Sequence, residues 1–140
     1  MLTDLFTSQR LAVLATHYKG QPYTSLVAFA ATRDLKHLLF ATKRNTRKYV
    51  NLTADARVAL LIDDSANQTA DFSNAIAVTA IGTAEEIEAS ERDRFIQLYL
   101  NKHRNLEEFV MSPECLLIKI TVDTYYVSKF QDVTEFHIKD

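Results

Sequence analysis

Three runs of strand-forming residues, 11–16 (LAVLAT), 23–31 (YTSLVAFAA) and 37–42 (HLLFAT), follow one another with links of only six and five residues between them. Links that short join antiparallel neighbours, because a parallel crossover needs a dozen residues or more. The first link contains Lys19-Gly20-Gln21-Pro22. Gly20 permits a positive φ there, and Pro22 is restricted to the opening or the edge of a strand. The second is the polar turn 33–36. Two further apolar runs, 57–63 and 75–87, flank the polar loop 64–73, and 115–127 is rich in β-branched and aromatic residues. A last short strand is expected within 133–138. Gly82, in the middle of its run, marks a bulge or a close backbone approach. About six strands in hairpin succession form an antiparallel sheet, which must close or pack as a sandwich to protect its edges. The expected fold is mainly β, a small antiparallel β-barrel with peripheral helices.

Helical signals are confined to four places. Residues 3–9 suit a short helix capped by Thr3. At 45–53, Asn45 and Thr46 are capping types, and Tyr49, Val50 and Leu52 recur at helical spacing. Ser90, followed by Asp93 and Arg94, opens the strongest helix, apolar at Phe95, Ile96, Leu98, Tyr99 and Leu100. Asn105 caps a shorter one with Leu106, Phe109 and Val110 on one side, stopped by Pro113. Helices placed so irregularly do not alternate with strands, which excludes a βαβ winding. The stripe of Phe95, Tyr99 and Leu106 reads as core or interface packing.

At 140 residues with no Gly/Ser tract, repeat or charge block, the chain is expected to be one domain, 1–140. A hydrophobic content of 47% excludes disorder. A net charge of −2 and a pI near 6.1 argue against a nucleic-acid partner. The single cysteine, Cys115, excludes an internal disulfide framework and fits a reducing compartment. No apolar run approaches 18 residues, and the first residues lack the pattern of a signal peptide, so a cytoplasmic protein without a membrane partner is expected.

The most informative stretch for chemistry is Lys43-Arg44-Asn45-Thr46-Arg47-Lys48, four of the chain's sixteen basic residues in six positions. Arg47 and Lys48 fall in the first turn of the helix expected here. Cations there oppose the positive end of the helix dipole, at about 0.3–1 kcal/mol each. An anion at the helix N-terminus reverses the sign, held by open backbone N–H groups and both side chains. The hydroxyls of Thr42 and Thr46 add neutral donors. A phosphate monoester suits this set, with Arg as a bidentate donor and Lys as a point charge. Residue type alone leaves a second reading open, an ordinary solvated basic turn.

From the second strand onward the chain resembles the pyridoxamine 5′-phosphate oxidase-like family of FMN-binding split barrels. The residues that carry the resemblance are GQPYTSLVAFA at 20–30, LLFATKRNTRKYVNLTADARVALLI at 38–62 and AIGTAEEI at 80–87. In that family a strand-turn-helix with Thr-x-x-x-x-Arg-Lys cradles the FMN phosphate. The matching positions here are Thr42, Arg47 and Lys48, with Ser25, Val27 and Ala41 as further cofactor-binding candidates. The resemblance implies an antiparallel split barrel, FMN as cofactor, a small-molecule redox substrate, and a homodimer with flavin at the subunit interface.

The departures are equally specific. The parent oxidases carry a basic residue where this chain has Ser25 and a lysine where it has Ala30. Their flavin-ring glutamine falls at about Ala77, and the aromatic and Arg/His elements of their C-terminal region have no counterpart in TEFHIKD at 134–140. The phosphate half of the site is kept and the pyridoxal-phosphate half is lost. A flavin-dependent oxidoreductase other than a pyridoxamine phosphate oxidase is expected, with no catalytic acid or base identified. The alternatives are a non-catalytic flavin or haem carrier or sensor of the same fold, with His137 as the haem ligand, and an interaction protein with a vestigial anion site.

The remaining chemistry-bearing residues point nowhere in particular. His17, His37, His103 and His137 show no metal-ligand spacing and read as surface or strand-end histidines, so no metal site is assigned. Cys115 has no basic neighbour in sequence and reads as a buried inert thiol. Asp63-Asp64 reads as a solvated turn. Ser25 has no His/Asp partners, and there is no Gly-x-Ser-x-Gly elbow.

Overall fold

The structure is a computed structural model that describes residues 1–130 and 132–138. Gln131, Lys139 and Asp140 lie outside the described residues, and with them the last two positions of the tail 134–140. The chain runs α1 (Leu2–Ser8), β1 (Leu11–Tyr18), β2 (Gln21–Ala31), β3 (His37–Lys43), α2 (Arg47–Ala54), β4 (Arg57–Asp63), α3 (Asp71–Asn74), β5 (Ala77–Glu86) and α4 (Ala89–Lys102). A 3-10 turn at Arg104–Leu106, α5 (Glu107–Met111), β6 (Cys115–Ser128) and β7 (Val133–His137) complete it.

All strand pairings are antiparallel. The order is β3-β2-β1-β4-β5-β6, and β3 also pairs with β6, from His37 opposite Thr121 to Lys43 opposite Cys115, so six strands close into a barrel. β7 pairs with Thr124–Ser128, beyond the end of β3. The length of β6 thus serves both partners on one edge. The expected antiparallel barrel with peripheral helices is the fold observed.

Alternation of side chains fills the interior. Leu14, Val27, Phe29, Leu38, Phe40, Leu60, Ile62, Val78, Ile118 and Ile120 point inward in one cluster. Phe6 of α1 plugs one end, its ring 5.8 Å from Phe29 and 5.7 Å from Tyr125. Towards the far end of β1, α2 contributes Leu52 to the core and buries Asn51, whose Nδ2 donates to the Thr16 hydroxyl at 3.1 Å. A second cluster lies outside the barrel. There Phe95, Ile96 and Tyr99 of α4 and Val110 of α5 cover Ala30, Leu39, Ala41 and Leu117.

Gly82 sits at the register shift in the β5–β6 ladder, where a Cβ would collide with the Thr121 carbonyl. The β1–β2 hairpin turns on Lys19 and Gly20, both at positive φ, as a two-residue loop between strands requires. Three helix starts differ from expectation. Thr3 lies inside α1, whose cap position is Met1; Ser90 lies inside α4, whose cap position is Glu88; and Asn105 lies within the 3-10 turn. In each case burial of the apolar residues (Leu5 and Phe6, Phe95 and Ile96, Val110) sets the start, and no side-chain cap bond forms. The expected loop 64–73 ends in the short α3, held by the Asp71 carboxylate, which accepts from the amides of Ala66 and Gln68. Those bonds keep its carboxyl below the usual range.

Candidate functional site

Thr42, which is 1% exposed, is the last residue but one of β3, and the turn after the strand feeds α2. Thr46 caps that helix. Its hydroxyl accepts from the Tyr49 amide at 3.3 Å, donates to the Lys43 carbonyl at 2.9 Å, and lies 2.9 Å from the Thr42 hydroxyl. The two threonines therefore brace the turn rather than offer outward donors, which corrects the role expected of their hydroxyls. First-turn amides of a helix have no intrahelical acceptor. The cap takes only that of Tyr49, and those of Arg47 and Lys48 have no acceptor among the described residues.

The four cations of the turn are not equivalent. Arg44 is engaged by Glu86, 3.9 Å away, and by the Tyr49 hydroxyl at 3.5 Å. Lys43 lies 5.9 Å from the Phe109 ring centroid. Arg47 is exposed, and neither it nor Lys48 has a carboxylate partner among the described residues. Lys48 is half-buried, and burial pushes its ammonium below the usual lysine range. A desolvated cation without an anion is an unbalanced arrangement that a bound anion restores.

Lys48 lines a cleft of about 280 Å³ together with Val27, Ala41, Leu26, Ala28, Tyr99, Leu106 and Phe109. Of the sequence candidates, Val27, Ala41 and Lys48 thus come together in one cleft. Thr42 is buried next to it along β3, Arg47 stands outside it, and Ser25 lies two residues before Val27 on β2. The Ser25 hydroxyl is buried and has no hydrogen-bond partner among the described residues. A desolvated lysine and two open first-turn amides are donors of the kind that a phosphate monoester uses.

Leu106 and Phe109 were legible as one face of a short helix but not as a wall of this cleft. Tyr99, read from sequence as packing, forms part of the cleft, and its hydroxyl donates to the Ala28 carbonyl at 2.8 Å. Burial raises its pKa well above the ordinary tyrosine value. The packing reading holds for both Tyr99 and Phe95, which belong to α4 and are buried in the cluster between that helix and the barrel. Ala77 opens β5 opposite Ser128 and Asp63, beside a separate hollow of about 310 Å³. Ala30 is buried beneath α4.

His103 departs from the surface reading. It is buried at the end of α4, its Nε2 2.6 Å from the Phe29 carbonyl, and burial lowers its pKa. His17 pairs with Asp55 at 3.1 Å. His137 is exposed, with Nδ1 3.1 Å from the Thr124 hydroxyl and Nε2 3.3 Å from Glu135. Cys115 is buried as expected, but the fold brings Arg92 and Lys43 near it. Burial outweighs their effect and raises its pKa. Asp64 accepts from the Ile76 amide at 2.8 Å, closing its loop. Among the described residues no three metal-ligating side chains cluster, and no helix is long and apolar enough to cross a membrane.

The sequence profile of the family described as pyridoxamine 5′-phosphate oxidase matches residues 2–129. A pyridoxamine 5′-phosphate oxidase homolog of Schizosaccharomyces pombe is 25% identical, over 84% of this chain and 78% of that one. Among solved structures, the heme binding protein from Mycobacterium smegmatis superposes with a TM-score of 0.83 at 16% identity. The match covers 95% of this chain, which spans only 55% of that longer protein. An FAD-binding protein from Mesorhizobium loti superposes with a TM-score of 0.72 at 17% identity, over 90% of this chain and 88% of its own. These superpositions place the barrel in the split-barrel fold.

Proposed function

The chain belongs to the pyridoxamine 5′-phosphate oxidase family, and from that premise we propose that it is an FMN-binding flavoprotein, a flavin-dependent oxidoreductase that does not oxidise pyridoxamine phosphate. The observation that carries this reading is Lys48, half-buried at the N-terminus of α2 with no carboxylate partner among the described residues. Arg47 and the open first-turn amides complete a clamp for a phosphate, and Thr42 and Thr46 hold the turn rigid behind it. Val27 and Ala41 form the apolar side of the cleft, and Ser25 supplies the unpartnered hydroxyl. A bound flavin supplies hydride or single-electron transfer, and the protein orients it and sets its electrostatics. The molecule works as a homodimer with flavin at the subunit interface.

Each charged contact to a phosphate contributes about 1.5–3 kcal/mol. Arg47→Ala is therefore expected to weaken FMN binding about ten- to a hundredfold, and Lys48→Ala similarly or slightly less, at 1.4 kcal/mol per decade. Riboflavin lacks the phosphate, so it should bind wild type weakly and be nearly indifferent to both substitutions. Equal FMN affinity across the three proteins overturns the reading. The spectrum of the purified protein tests the ring system separately: flavin absorbance is expected, and a Soret band would favour haem. The haem reading would fall on His137, but both of its ring nitrogens already face protein groups.

The oxidase activity of the family's namesake is expected to be absent, because Ala30 is buried where the parent oxidases place a lysine. Turnover of pyridoxine or pyridoxamine phosphate with added FMN measures this. Rates within tenfold of an ordinary enzyme's ~10 s⁻¹ would show the loss of the substrate half to be misread.

A further inference from the structure

A second hollow lies apart from the flavin cleft. It lies between α1 and α4, has a volume of about 720 Å³, and shares no lining residue with that cleft. Its size falls within the range of sites for small organic ligands. Phe6, Ala30, Leu35 and Leu98 give it an apolar floor, while Arg33 and Lys102 bring two cations, and among the described residues no carboxylate lines it.

Lys102 ends α4 and is half-buried. Its Nζ donates to the Phe6 carbonyl at 2.6 Å and lies 3.8 Å from the centroid of the Phe29 ring. The carbonyl belongs to the last turn of α1, so the ammonium sits at that helix's negative end. This tether uses one of its three N–H donors. No carboxylate pairs with it among the described residues, and Arg10 is close enough to repel it. Burial together with Arg10 brings its pKa down to about 8. As a tether alone, the position would be served by any donor. An unneutralised ammonium set beside an apolar hollow, with a second cation at the rim, is what an anionic ligand with an apolar body completes.

We infer that this hollow binds a small amphipathic carboxylic acid, with its apolar body on Phe6, Leu35 and Leu98 and its carboxylate paired with Lys102 beside Arg33. The floor is apolar and the donors are few, so one charged head on a hydrocarbon body fits better than a polyanion, which needs more donors than the rim provides.

The test is calorimetric titration of the full chain with sodium octanoate and with octan-1-ol, which share a body and differ in the charged head. Octanoate is expected to saturate one site per chain, and octanol to bind at least about tenfold more weakly, the loss of one charge-assisted contact. Lys102→Met should bring octanoate down to the level of octanol and leave octanol unchanged. Leu98→Trp fills the floor and should remove both. Arg47→Ala, in the other cleft, should change neither, so the outcome is independent of the flavin reading. Equal affinity of wild type for the two ligands, octanoate binding that survives Leu98→Trp, or no saturable binding of octanoate would each overturn the inference. The wild-type comparison stands even if a variant fails to fold.

Discussion

Lys48 and His103 show how a residue's burial, rather than its type, decides what it does. Both titrate below their ordinary values because burial disfavours the charged form. Lys48 lines an open cleft, so a ligand can neutralise it. His103 lies against the Phe29 carbonyl and Tyr99 and is fully used by the fold. For His103 the consequence is a pH dependence of stability. Its folded pKa is depressed, so the unfolded chain binds the proton more readily. Its contribution is complete above the unfolded value of about 6.5 and is lost as pH falls through the folded one. His37 acts in the same direction, with burial and Lys119 opposing its protonation while Asp34, Glu85 and Glu91 favour it. The midpoint of thermal unfolding is expected to fall from pH 7 to pH 5, and His103→Gln should flatten part of that slope. An identical slope in the variant would contradict this assignment. The sequence showed the basic turn and its four cations but not their division of labour. Arg44 is claimed by Glu86, forty-two positions away, and no local pattern encodes that pairing.

At the level of elements, what could be read from sequence depended on whether a local signal or a distant contact sets the boundary. The start of α2 was legible because Thr46 makes the cap bond that its residue type suggests, and the same turn positions the proposed clamp. Thr3, Ser90 and Asn105 are equally good capping types, but the docking of Phe6, Phe95 and Val110 moves those starts away from them. Gly82 was legible for a similar reason, since a glycine inside a strand announces a backbone contact even when its partner, Thr121, is unknown. These cases make a comparison. Thr46→Ala removes a formed cap and the brace on Thr42, and is expected to cost about 1 kcal/mol in a urea titration. Ser90→Ala removes a hydroxyl that makes no cap bond and should stay within about 0.5 kcal/mol of wild type. Similar losses for the two would mean that the hydroxyl geometry at Thr46 does not hold the turn.

For the whole molecule, strand succession implied a closed sheet, but the closing pair did not show itself. β3 and β6 meet across more than seventy residues of chain, and only the finished barrel brings His37–Lys43 against Cys115–Thr121. The same closure leaves one face without a cover. α4 and α5 shield the outer side of β2, β3 and β6, whereas the outer side of β1, β4 and β5 is bare. Leu26, Val13 and Leu61 stand side by side across β2, β1 and β4, and Ala15, Ala59 and Ile81 do so one step along. Leu26 is 63% exposed, Leu61 41% and Ile81 40%. Adjacent strands lie about 4.8 Å apart, so these rows form one continuous apolar surface rather than scattered exposed residues. A second copy of the same face, related by a two-fold axis, would cover it with matching chemistry. The protein is therefore expected to be a dimer burying more than about 2,000 Å² in total, the range of obligate interfaces. Sedimentation equilibrium at micromolar concentration measures this directly, and a monodisperse 16.0 kDa species would refute it. Leu61→Lys places a charge in the middle of the patch without touching the interior, so it should yield a folded monomer. If the flavin lies at the interface, the same substitution should also weaken FMN binding by at least about tenfold, although Leu61 does not line the cleft. A monomeric variant that binds FMN as tightly as wild type would separate the two claims, keeping the dimer and moving the cofactor away from its seam.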